Sequence, residues 1–401
     1  MARRRQSLLT LTVIALQAWA STACSGQTRL KAPVSIPFEL YHNRVYLQVN
    51  VNHTGPFTFV LDSGASTSGL DQAHARELHL HVKSGNALVA NGETPMNVGL
   101  AGGVTLTLGG VDLTEKNVAV LPFGELASFE GRPIDGVVGV DLFRRYIVEI
   151  DYAHNRLVLN DPATFQYSGG GEVVPLFFRG NAALFRAEVE VTEGHTYEGV
   201  LAIDQGTYSA LRLYKPFVEK HDLLALAHPI PAFAFGLGGE FAEAQGRVQA
   251  LHIGQLNIAQ PVAGYSEASA GATAASTYDG TIGGEILRRF KVIFEYSYSR
   301  VVLEPNASYE DPYLGDTSGL ILTATGSALD VIAVHRVLAG TPAAEAGIQP
   351  GDVIQGVAGT AAARLGLEGI RKLFLHPGTY EIEITRGQQS FYMKLVTRTL
   401  S

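Results

Sequence analysis

Two aspartates stand in the same chemical setting. Asp62 ends the apolar run Phe59-Val60-Leu61 and is followed by Ser63-Gly64-Ala65-Ser66. Asp204 ends Val200-Leu201-Ala202-Ile203 and is followed by Gln205-Gly206-Thr207-Tyr208, 142 residues later. Each run reads as a buried strand end. A carboxylate delivered there has left bulk water, so it must be hydrogen-bonded or carry a shifted acidity. Gly64 and Gly206, two places on, let the backbone fold back and aim amide N–H groups at the carboxylate. One such motif is only a strand-end turn; the second copy makes the pair a candidate for acid–base chemistry.

The elements that must position these acids also come in duplicate. Asp135-Gly136-Val137-Val138-Gly139-Val140-Asp141-Leu142-Phe143-Arg144-Arg145-Tyr146 faces Asp279-Gly280-Thr281-Ile282-Gly283-Gly284-Glu285-Ile286-Leu287-Arg288-Arg289-Phe290 at an offset of 144. Each unit thus carries an apolar-Asp-x-Gly turn and, downstream, an apolar Gly-x-x-Gly with a short helix and a closing hairpin. The first unit spans 34–163, with strand-like runs at Val45–Val51, Phe57–Leu61, Val104–Leu108, Val118–Leu121 and Tyr146–Ile150 and a helix over Asp71–Leu78. Gly169-Gly170-Gly171 reads as a linker, and 172–306 retraces the first unit. Covering hairpins are expected around Ala87–Val104 and Ala234–Gln245. The doubled arginines read as solvated helix faces, and Asp135 and Asp279 as turn caps.

The doubled pattern resembles the aspartic peptidases, in a tandem bilobal form closer to bacterial retropepsin-like than to pepsin-like chains. The resemblance implies a mainly β fold with two double-β lobes, one catalytic aspartate from each: Asp62 and Asp204. Two carboxyl groups meeting at a pseudo-twofold axis share a proton, so one serves as base for water and the other as acid for the scissile carbonyl. Ser63, Gly64, Ala65, Ser66, Gly206 and Thr207 would support them. The family has Ser or Thr after the aspartate; Ser63 fits and Gln205 does not. Thr207 is expected to donate to Asp204, making Asp204 the more acidic partner and leaving the proton on Asp62. No cofactor or metal is required.

A third unit spans 317–401, after a Pro- and Gly-containing linker at Asp311–Asp316. Val337 to Ile354, with Pro342 opening a short helix, Gly347 capping it and Pro350-Gly351 turning into a strand, resembles the core of a bacterial PDZ domain, an α+β fold. The resemblance implies that Ser318, Gly319, Leu320 and Ile321 receive a peptide C-terminus by strand addition, with a helix at Arg364–Phe374 as the other wall.

The first 24 residues are a targeting segment: Arg3-Arg4-Arg5, an apolar stretch Leu8–Ala20, then Ala18-Trp19-Ala20 or Ser21-Thr22-Ala23-Cys24 as the exit. Export to the periplasm, or membrane attachment through lipidated Cys24, follows. Cleavage removes three arginines and the only tryptophan, moving the net charge from −8 to −11. With Cys24 the only cysteine, no intramolecular disulfide is possible. The acidic balance, with no basic cluster beyond the leader, argues against nucleic-acid binding. His79 and His81 lack partners at ligand spacing, and no G-x-S-x-G is present. The sequence therefore reads as an exported aspartic endopeptidase with a PDZ domain for protein C-termini, against a competing reading as a catalytically silent peptide-binding shell, which Gln205 favours.

Overall fold

The computed structural model describes residues 29–88 and 90–400; the leader, Cys24 and Ser401 lie outside the described residues. The chain is mainly β. Two ten-stranded sheets follow one another with the same strand order, so the sequence repeat is also a repeat of topology. In the first, Thr54–Leu61 runs parallel to Gly136–Val138, pairing Phe59 with Gly136 and Leu61 with Val138. In the second, His195–Ile203 runs parallel to Gly280–Ile282, pairing Leu201 with Gly280 and Ile203 with Ile282. The apolar runs before the aspartates are thus interior strands, with Phe59, Val60, Leu61, Leu201, Ala202 and Ile203 buried.

A separate six-stranded sheet joins the lobes. Ile147–Asp151 of lobe 1 pairs antiparallel with Phe290–Glu295 of lobe 2, Val148 opposite Phe294 and Ile150 opposite Val292. Ile147, Ile293 and Val302 pack together on one of its faces, and Phe143 packs edge-on to Phe294. The closing hairpins of the two repeats therefore build one continuous core, which holds the aspartate loops in a fixed relation.

The third unit is a five-strand path, Leu320–Thr325, Val331–Val337, Val353–Val357, Thr379–Arg386 and Gln389–Val396, with a short strand Thr360–Ala361 and the helix Ala362–Leu373 over it. The expected groove helix is present, broken at Gly366. Arg289, expected on a solvated face, is instead fully buried. Its guanidinium donates to the carbonyls of Ser308, Asp311 and Pro312, and Tyr313 lies over it at 3.7 Å. The returning linker supplies these acceptors, so the third unit is tied to the end of lobe 2.

Candidate functional site

Asp62 and Asp204 meet at the lobe boundary, each carboxyl group seated against the glycine of the other lobe's aspartate loop. Each strand end is set by the parallel partner: Asp62 N–H donates to Val138 O at 2.9 Å and Asp204 N–H to Ile282 O at 3.1 Å. The amides of Gly64 and Ala65 donate to Asp62 Oδ1, and the Gly206 amide to Asp204 Oδ1. The glycines are required by closeness. A Cβ on Gly64 would stand 2.7 Å from Asp204 Cγ, and one on Gly206 2.3 Å from Asp62 Cγ. Each lobe's glycine thus lies against the other lobe's carboxyl group.

Ser63 crosses the boundary. Its Oγ donates to Ile203 O at 3.0 Å and accepts the Gln205 amide at 3.0 Å. Gln205 makes no return bond of that kind, but its Oε1 accepts from Tyr152 OH of lobe 1, and the side chain is fully buried. The residue that departs from the family pattern is therefore engaged across the same boundary. Thr207 does not reach Asp204; its hydroxyl sits 3.4 Å from Ser209 Oγ and 3.5 Å from Arg212 Nη1. Ala65 joins the network through its amide and through its carbonyl, which accepts the Val140 amide at 3.0 Å, and Ser66 through its carbonyl. Asp135 and Asp279 cap in matching fashion, accepting the amides of Thr58 and Val200, each four residues before an aspartate.

Burial, then the charge of Asp204 and its hydrogen bond, push Asp62 up to about 8, against the pull of the Ala65 and Gly64 amides. Burial raises Asp204 too, but the Gly206 amide, the bond from Asp62, and the Arg44 and Arg212 guanidiniums draw it back. The shared proton sits on Asp62. The pull on Asp204 comes first from the Gly206 amide and Asp62 and then from the two arginines, and not from Thr207.

Each lobe sends out one of the expected hairpins. Val82–Leu88 with Met96–Ala101 is one, and Ile230–Gly236 with Gly239–Arg247 is the other. Their tips meet: the Gly238 amide donates to Asn91 O at 2.8 Å, and the Thr94 amide to Gly238 O at 3.0 Å. A Cβ on Gly92 would stand 2.1 Å from Gly238 C, so the junction admits no side chain there.

The third unit holds the second hairpin from outside. Glu240 is bridged by His335 at 2.7 Å and Arg336 at 2.5 Å, Arg336 covers Phe233, and Phe235 lies between Phe129 and His335. Arg336→Ala is therefore expected to raise amide hydrogen exchange over 230–247 roughly twofold to fivefold, the yield of one partly exposed ion pair. Exchange in Thr54–Leu61 should not change; unchanged exchange in the hairpin would show that the third unit does not hold it.

The outer strand of the third unit, expected to receive a peptide, is partly covered by lobe 1. Helix Gly124–Glu130 of lobe 1 lies against Leu320–Thr325, with Ser128 Oγ donating to Ala324 O at 2.5 Å. Arg371 on the groove helix donates to Phe129 O at 2.6 Å and Leu322 O at 3.1 Å. In the loop expected to grip a terminal carboxylate, the Ser318 and Gly319 amides donate to Asp316, and the Leu320 amide to Ser318 Oγ. A cavity of about 480 Å³ remains between Leu320, Ile321 and Phe374 on one side and Tyr208, Phe233 and Glu243 on the other. Neither aspartate lines it, but Tyr208, four residues after Asp204, does.

Sequence reasoning missed Arg44 and Glu130. Arg44 Nε donates to Gly206 O at 2.6 Å, and its guanidinium forms an ion pair with Glu130. Glu130 is fully buried and also meets His42 Nδ1 at 3.0 Å. Neither residue belongs to a repeated motif, which is why the pattern did not expose them.

A family model described as aspartyl protease matches residues 47–142, which contain Asp62 and the Gly-x-x-Gly of lobe 1. No curated protein matches the sequence. Among solved structures, the HtrA3 PDZ domain bound to a phage-derived ligand (FGRWV) is similar at 19% identity over 21% of this chain and 88% of that chain, with a TM-score of 0.20.

Proposed function

We propose that this protein is an aspartic endopeptidase, acting outside the cytoplasm, with Asp62 and Asp204 as its catalytic dyad. The observation that supports this most is the reciprocal seating of each carboxyl group on the other lobe's glycine. Ionised Asp204 takes a proton from a water molecule as its oxygen attacks the scissile carbonyl carbon. Protonated Asp62 passes its proton to the carbonyl oxygen, giving a neutral tetrahedral diol. When the C–N bond breaks, the diol returns one proton to the dyad and the leaving nitrogen takes one from it. The products are a carboxylic acid and an amine, and no covalent intermediate forms.

The paired hairpins must part for a polypeptide to enter and close again to exclude water from the carboxyl pair. The interlobe bond that Gln205 makes with Tyr152 keeps the Asp204 loop against lobe 1, so the departure at position 205 does not detach it. The third unit, through its hold on the second hairpin, would influence entry of protein substrates. Incubating the protein with an unfolded polypeptide, with and without pepstatin, tests the reading. Pepstatin-sensitive internal cleavage is expected; no cleavage, or cleavage indifferent to pepstatin, would overturn it.

A further inference from the structure

We propose that Asn43 and Arg44 of lobe 1 and Asn181 of lobe 2 are positioning residues that clasp the opposite aspartate loop, Arg44 doing so through the carbonyl of Gly206. The inference rests on the dyad reading above and adds residues that no repeat of the aspartate motif contains.

The clasp is reciprocal. Asn43 Nδ2 donates to Tyr208 O at 3.1 Å, and Asn181 Nδ2 donates to Ser66 O at 2.7 Å. Tyr208 and Ser66 each stand four residues after an aspartate. The donors occupy matching turns, Asn43 between Glu39–Tyr41 and Arg44–Val51, and Asn181 between Phe177–Arg179 and Ala182–Thr192. Asn43 takes up a left-handed φ of 60°, a conformation asparagine tolerates better than most residues. A carbonyl fixed on each side of the aspartate turn restrains the whole loop, which places the carboxyl oxygens.

The symmetry ends one residue later. Arg44 follows Asn43, whereas Ala182 follows Asn181. Arg44 therefore adds a bond to Gly206 O, on the glycine that touches the Asp62 carboxyl, and places a buried cation in the Asp204 loop with no counterpart in the Asp62 loop. The other groups facing Asp204 are Asp62, Arg212, Tyr214, Tyr278 and Tyr296. Arg212 is committed to Glu243 at 3.0 Å, as Arg44 is to Glu130. Arg44 thus adds to the pull of the Gly206 amide and of Arg212 that favours the ionised form of Asp204.

The test compares kcat, KM, thermal unfolding and the pH profile of kcat/KM across four variants. Asn43→Ala and Asn181→Ala should each lower kcat by about tenfold with KM little changed, as expected when reacting groups are misplaced without loss of binding surface. Arg44→Lys keeps the charge and should leave the acid limb in place while lowering kcat. Arg44→Met combined with Glu130→Gln removes both charges and should move the acid limb to higher pH, which a merely structural role would not do. Unchanged kcat in both asparagine variants, or an unmoved acid limb in the double variant, would overturn the proposal. If the double variant does not fold, the two asparagine variants decide alone. An inactive wild type would overturn the dyad reading and this proposal with it, an outcome distinct from an active wild type with indifferent variants.

Discussion

Asp62→Asn and Asp204→Asn are each expected to lower kcat/KM by ~10²-fold or more, the contribution of one acid or base in the transition state. The two variants should lose activity together, because neither acid can replace the other: removing Asp204 leaves no base, and removing Asp62 leaves no proton for the carbonyl oxygen. The fold should survive both changes. An asparagine at 62 still accepts the Gly64 and Ala65 amides, and one at 204 the Gly206 amide. The sign of the stability effect at 62 also follows. Asp62 is held above its ordinary value, so its stabilising contribution is present in acid and is lost as pH rises through about 8. Asp62→Asn lacks that loss and should unfold at an equal or higher temperature on the alkaline side. Activity within twofold of wild type in either variant would remove the dyad.

Glu130→Ala should be the most destabilising single change outside the core, costing about 3–5 kcal/mol, because it leaves Arg44 buried without its partner. Burial alone would raise Glu130, but Arg44, His42 and Arg371 outweigh it and hold the carboxyl well below its usual range. A depressed carboxyl stabilises above its unfolded value and ceases to only as pH falls through the folded one. The pair therefore persists through the mildly acidic range. Glu130 also ends the helix that lies in the third unit's groove, so the loss should reach further than the ion pair. Equilibrium unfolding of Glu130→Ala against wild type measures this, and a cost below about 1 kcal/mol would contradict it.

The lobes were legible because their chemistry needs particular residue types in order. An interior strand must be apolar, an acid at its end must be followed by a glycine that can approach the other lobe, and the parallel partner strand must carry glycines of its own. Those constraints left the Asp62 and Asp204 motifs and the paired 135–146 and 279–290 segments visible in one sequence. The meeting of the hairpin tips at Gly92 and Gly238 was not visible, since glycine-rich tips carry no periodicity. Arg289 reads as exposed on its helix because the carbonyls that bury it come from 308–312, some twenty residues on. Asn43 and Asn181 carry a faint signal: they lie 138 residues apart, close to the repeat offset, each in a tight turn before a long strand. The groove filled by Ser128 and Phe129 is a contact between segments almost two hundred residues apart, for which no local pattern exists.

The claim at the centre of the account is that the two acids hold one proton between them, with Asp62 keeping it. The pH dependence of kcat/KM on an unfolded polypeptide tests it most directly, since the limbs report the free enzyme's acid and base as a pair. The account predicts full activity while Asp204 is ionised and Asp62 protonated, with a fall as pH rises through about 8. A rate that holds level or climbs through that range would contradict it.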